Sequence, residues 1–107
     1  NIGNISLFDI TWKDRHAELG ITIGERDYWG RGYGSDAIQT LLHVAFEEMN
    51  LHRVHLRVHA DNARGINCYK KVGFQKEGTQ RESVFREGVY RDVEVMSILE
   101  SEFEFRD

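Results

Sequence analysis

The chain has 107 residues, 40% of them hydrophobic and 30% charged, which allows one globular domain with a single core and is too apolar for a disordered segment. With 14 Lys and Arg against 18 Asp and Glu the net charge is −4, which argues against a general nucleic-acid footprint; no apolar run nears the roughly 20 residues of a membrane span, and no signal-peptide pattern opens this stretch. A lone cysteine, Cys68, excludes an internal disulfide framework and favours an intracellular, cytoplasmic protein, while Asn1 in place of Met predicts that the natural chain begins upstream.

In chain order, Ile5 to Trp12 is a mixed but strand-like run, and Lys13-Asp14-Arg15 is a turn. The next segment alternates, with Ala17, Leu19, Ile21 and Ile23 on one face and Glu18, Gly20, Thr22 and Gly24 on the other. Together these predict an antiparallel hairpin. A loop from Arg26 to Gly34 leads into a helix whose apolar residues Ile38, Leu41, Leu42, Ala45, Phe46 and Met49 form one stripe of period 3.6, closed by Asn50. Arg53 to His59 is a strand with Val54, Leu56 and Val58 on one side and His55, Arg57 and His59 on the other. Asp61-Asn62 offers N-cap chemistry for a short helix through Lys71, and Gly73 suits the left-handed cap that ends it. Phe74 to Phe85 and Val89 to Leu99 are two long strands turning at Glu87-Gly88, and the second, apolar on both faces, is expected inside the sheet. There is no repeat and no proline. The order β-β-α-β-α-β-β predicts an α/β (α+β) domain over residues 1–107, with a mixed, mainly antiparallel sheet and helices on its faces.

The loop Trp29-Gly30-Arg31-Gly32-Tyr33-Gly34 joins a strand end to a helix start. Glycines let successive backbone N–H groups turn toward one point, and the helix N-terminus adds partial positive charge. That combination suits an anionic group such as a pyrophosphate, with Arg31 placed for a charge-assisted contact. The spacing matches neither a P-loop nor the dinucleotide fingerprint. By itself it also fits a turn that merely starts a helix.

Trp-Gly-Arg-Gly-Tyr-Gly, the amphipathic helix after it, and then Asn62-x6-Tyr69-x3-Gly73-Phe74 resemble the GNAT superfamily of N-acetyltransferases. The likeness is nearest to the branch containing ribosomal-protein N-terminal acetyltransferases and spermidine acetyltransferases, where a hairpin like Gly88-Val89-Tyr90-Arg91-Asp92 carries Gly-x-Tyr-x-Asp. The resemblance runs from about Ile5 to the last strand. In that family a strand, two helices and another strand come first, so this chain resembles the C-terminal, cofactor-binding portion of the fold, truncated at the N-terminus.

The resemblance implies acetyl-CoA in a cleft where two neighbouring strands separate. Ile21, Thr22 and Ile23 match the segment whose backbone pairs with the pantetheine arm. Trp29, Gly30, Arg31, Gly32, Tyr33, Gly34 and Ser35 match the pyrophosphate cradle, with Trp29 standing where the family usually has Gln or Arg. Asn62 matches the asparagine that holds the cofactor arm; read from the residues, it is a helix N-cap. Tyr69 matches the general acid; read alone, it is a core tyrosine. Cys68 beside it has no paired His and Asp and is read as structural. Some protein N-terminal acetyltransferases of the family carry a glutamate on the strand before the tyrosine helix, where this chain has Arg57. Glu18, His59 or a water chain reaching either then remain as the base. His55 and His59 share a strand face, but with Arg57 between them and no carboxylate accompanying them a metal site is not expected.

The function implied is acetyl transfer from acetyl-CoA to a primary amine by direct attack. The acceptor is a protein N-terminus, a polyamine or a small-molecule amine, and no metal, nucleic acid or membrane takes part. A homodimer is compatible with the pattern. The alternative is a binding module that senses acyl-CoA and turns nothing over.

Overall fold

The computed structural model describes residues 4–22 and 33–104. Within them lie β1 (Asn4–Thr11), β2 (His16–Thr22), α1 (Tyr33–His43), β3 (Arg53–His59), α2 (Ala63–Val72), β4 (Gln75–Arg86) and β5 (Val89–Leu99), which is the expected order. The strands form one mixed sheet, β1-β2-β3-β5-β4. The β2–β3 pair is parallel and every other pair antiparallel. A parallel pair needs a crossover, and α1 lies within that connection. β5 is internal, as its two apolar faces predict: Met96 and Ile98 are buried on one side, Val93 and Ser97 on the other.

Alternation decides which face is covered. Val54, Leu56 and Val58 of β3 are buried, and across the ladder Val54 meets Ala17 of β2 and Ile98 of β5 while Leu56 meets Met96. Ile38 and Leu42 of α1 and Tyr69 and Val72 of α2 join the same core. The two helices therefore lie side by side on one face of the sheet. The other face carries Glu18, Arg53, His55, Arg57 and His59, and it remains polar.

The predicted helix stripe continues past α1 in altered form. Residues Val44–Glu48 form a π-helical turn, with Met49 N–H donating to Val44 O at 2.9 Å. The sequence reads there as an unbroken 3.6-residue helix. Ala45 and Phe46 are both buried, as the stripe predicts, and Phe46 packs on Phe103 with ring centroids 5.5 Å apart. Asn50, at φ +59°, ends the segment as expected. Its carbonyl and side-chain oxygen accept from Arg15 Nε (2.7 Å) and Nη2 (3.1 Å), which ties the β1–β2 turn to the end of the helical segment. The Arg15 carbonyl in turn accepts from the N–H groups of His52 and Arg53, which starts the β2–β3 register at His16 opposite Arg53.

Asn62 caps α2, its Oδ1 accepting from Gly65 N–H at 3.0 Å. Gly73 closes the helix at φ +126°, a conformation that glycine adopts without a Cβ penalty. A Cβ there would also meet Ile98 Cδ1 at 3.1 Å. Among the described residues no helix is long and apolar enough to cross a membrane.

Candidate functional site

The β2–β3 ladder has three rungs, His16 to Arg53, Ala17 to Val54 and Glu18 to His55. Beyond them β2 continues to Thr22 and β3 to His59 with no further rung between the two strands. The backbone edges of residues 19–22 and 56–59 thus lack each other as partners. A cavity of about 510 Å³ opens between them, in the range of small-molecule and cofactor sites.

This cavity brings together residues far apart in sequence. Ile21, Asn62 and Tyr69 line it, as do both candidate bases, Glu18 and His59, and Arg57. Thr22 is the last residue of β2, opposite Asn4 of β1. Tyr33 and Gly34 open α1, and Ser35 sits half-buried in its first turn without lining the cavity. Ile23, Trp29, Gly30, Arg31 and Gly32 lie outside the described residues.

Asn62 is a helix cap that also lines the cavity. Its Oδ1 is committed to the helix cap, and the exposed side chain keeps its Nδ2 group as a donor for a ligand. Gly65 protects this arrangement, because a Cβ at that position would come within 2.6 Å of Asn62 Nδ2. Tyr69 is likewise a core residue that reaches the cavity: it is 3% exposed, and its ring meets Phe74 edge-on at 5.9 Å. Burial raises its hydroxyl pKa above the ordinary value, and neighbouring Cys68 adds to the rise, so the proton stays on oxygen at neutral pH. Burial also raises the Cys68 thiol, partly offset by Lys71. A thiol so protonated is a poor nucleophile.

The fold adds a carboxylate beside His55 and Arg57 that their own segment lacks. Glu18, with its side chain 12% exposed, has Oε1 at 3.5 Å from His55 Nε2 and accepts from Arg57 Nε at 3.2 Å on Oε2. His16 stands edge-on to His55 at 6.2 Å. Phe8 lies against Gly20, where a Cβ would come within 2.7 Å of its ring, and so helps wall the cavity. A glycine inside a strand is the sequence signal for such a close approach. Among the described residues no three His, Cys, Asp or Glu side chains converge as metal ligands do.

Residues 1–75 match the acetyltransferase (GNAT) domain family. A spermidine N(1)-acetyltransferase of Vibrio cholerae is 34% identical over 95% of this chain, and an uncharacterised N-acetyltransferase of Bacillus licheniformis is 33% identical over the same share. The chain spans 58% and 57% of their respective lengths. A solved spermidine N-acetyltransferase variant from Vibrio cholerae superposes with a TM-score of 0.85 at 35% identity, covering 94% of this chain and 59% of that one. A probable acetyltransferase superposes at 0.86 with 30% identity, over 95% of this chain and 57% of its own. On the family match and the shared fold, the chain belongs to the GNAT acetyltransferase family.

Proposed function

We propose that this chain carries acetyl transfer from acetyl-CoA to a primary amine, with the reaction taking place in the cleft between β2 and β3. The observation that supports the reading most is the joint placement of Asn62, Tyr69 and Glu18 on one cavity between two diverging strands. Acetyl-CoA supplies the activated acyl group as a thioester. The backbone of residues 21–23 pairs with its pantetheine arm as an added strand would. Asn62 Nδ2 donates to the same arm. Residues 29–35, from Trp29 to Ser35, hold the pyrophosphate with backbone N–H groups at the N-terminus of α1.

Glu18 acts as the base, taking a proton from the attacking amine directly or through one water. The amine nitrogen forms its bond to the thioester carbonyl carbon, the carbon–sulfur bond breaks, and Tyr69 gives its proton to the departing sulfur. Burial keeps the tyrosine hydroxyl protonated at neutral pH, the form that can hydrogen-bond to the departing sulfur or give it a proton. The 107 residues are the C-terminal, cofactor-binding portion of a single domain on this reading, and a cytoplasmic setting follows from the donor. The acceptor is a small-molecule amine; spermidine, the amine in the names of several relatives, is the first to try.

Release of free thiol from acetyl-CoA across a panel of amines tests the reading. Amine-dependent release, together with weaker CoA binding by Gly32→Val in calorimetry, is expected. Tight CoA binding with no release for any amine would favour an acyl-CoA-binding module instead.

A further inference from the structure

The described wall of the cleft holds two opposite charges next to each other. Glu18 comes from β2 and Arg57 from β3, two residues beyond His55, Glu18's ladder partner. Both line the cavity, and Glu18 is the sole carboxylate among the described lining residues. The pair is only half closed. Arg57 reaches Glu18 through Nε alone, its side chain is 54% exposed, and its terminal nitrogens Nη1 and Nη2 have no hydrogen-bond partner among the described residues. Among the described residues the second carboxylate oxygen, Oε1, has His55 Nε2 as its ion-pair partner, at 3.5 Å. An unfilled guanidinium fork and an under-coordinated carboxylate oxygen thus sit at one place.

On the described wall a purely cationic acceptor finds a partner for only one of the two charges. It would meet a single carboxylate, already compensated, and the positive charge of Arg57 beside it. A zwitterion matches both partners. On the acetyl-transfer reading given above, we infer that the acceptor is an amine with a carboxylate on the adjacent carbon, a free α-amino acid. Arg57 Nη1 and Nη2 take the carboxylate in the bidentate geometry for which guanidinium is shaped, and Glu18 Oε1 faces the amine. The electrons move as before: the amine lone pair forms the N–C bond, its proton passes to Glu18, the C–S bond breaks, and sulfur takes the proton of Tyr69. Arg57 remains outside the bond changes and determines which amine is held.

The test compares acceptors that differ only in the carboxylate. Amino acids, the corresponding amino-acid amides and spermidine are assayed for thiol release from acetyl-CoA with the protein and with Arg57→Gln and Arg57→Lys. Expected is a preference for acids over amides of roughly ten- to a hundredfold in kcat/KM, the scale of a hydrogen bond to a charged group. Expected too is its collapse in Arg57→Gln through KM and its partial return in Arg57→Lys. A second readout needs no turnover: in 15N spectra of the CoA-loaded protein, the Arg57 side-chain resonance should shift on adding glycine and stay in place on adding glycinamide. Equal rates with amides, or faster rates with spermidine, would overturn the inference while leaving acetyl transfer intact. An unmoved Arg57 resonance would also overturn it. A resonance that responds to glycine alone, with no thiol released for any amine, would support the recognition and reject the transfer.

Discussion

Two arginine–carboxylate pairs stand on the same polar face of the sheet and are built for different ends. Arg53 and Glu77 form a closed fork: both terminal guanidinium nitrogens bond the carboxylate, one at 3.0 Å, and Ser97 Oγ donates to it at 2.7 Å. Those bonds hold the Glu77 carboxyl down at about 2. Arg57, four residues further along β3, and Glu18 of β2 share a single Nε contact and border the cavity. The first pair sits where β3 and β5 are laddered and β4 bulges at Glu77, the second where the β2–β3 ladder has just ended. A saturated pair joins strands, and an unsaturated pair beside a cleft can accept a ligand.

The sharpest way to break this comparison is to neutralise each carboxylate in turn. Glu18→Gln should lower the acetyl-transfer rate by roughly 10²-fold or more, as loss of a positioned base does, and leave the melting temperature nearly unchanged. Glu77→Gln should do the reverse, keeping the rate and losing stability. Rates and thermal melts of the two variants decide it, and equal effects of both on rate would dissolve the distinction.

Tyr69→Phe keeps the ring packed on Phe74 and removes the proton donor. A rate loss of roughly 10²-fold is expected, with CoA affinity unchanged in calorimetry. A near-normal rate would leave Tyr69 as a core residue alone.

How much of this was legible beforehand depends on whether the signal was local. The alternation of Val54, Leu56 and Val58 and the stripe from Ile38 to Leu42 are written within single elements, so the strands, helices and core face could be read directly. The cap at Asn62 could be read from its own segment, whereas the site roles of Asn62 and Tyr69 came from the family resemblance. The neighbourhood of Glu18 was not, because it depends on a parallel register between strands joined through α1, set by the Arg15 carbonyl and the N–H groups of His52 and Arg53. No residue pattern in either strand states that register. The π turn was hidden for a similar reason: an aromatic contact with distant Phe103 accompanies it, while Val44–Glu48 reads as ordinary helix. Gly65 was passed over although its place, three residues after an N-cap, is where a side chain would crowd the capping amide.

Acid should sharpen the contrast further. The Glu77 carboxyl is ordinarily near 4.5 and is held at about 2 in the fold, so the native state binds fewer protons than the unfolded chain between those values. Its contribution is present above about 4.5 and is lost as pH falls toward 2. With the side chain 40% exposed, solvent screening reduces the effect to about 1 kcal/mol. Denaturant melts between these limits should show the loss in the parent protein and a flatter profile in Glu77→Gln.

The smallest effect is expected at Gly65. Gly65→Ala should displace the Asn62 amide, weaken the α2 cap by about 0.5–1 kcal/mol, and reduce CoA affinity by more than that cap loss implies. Chemical denaturation and calorimetry separate the two. A stability change with CoA affinity intact would leave Asn62 as a cap only.

A crystal structure of the CoA complex tests whether the diverging edges of β2 and β3 hold the thioester against Tyr69. The pantetheine arm is expected between residues 19–22 and 56–59, paired with the β2 backbone, and the sulfur within hydrogen-bond reach of Tyr69 Oη. CoA bound on another surface, or a sulfur far from Tyr69 with the arm outside this cleft, would contradict it.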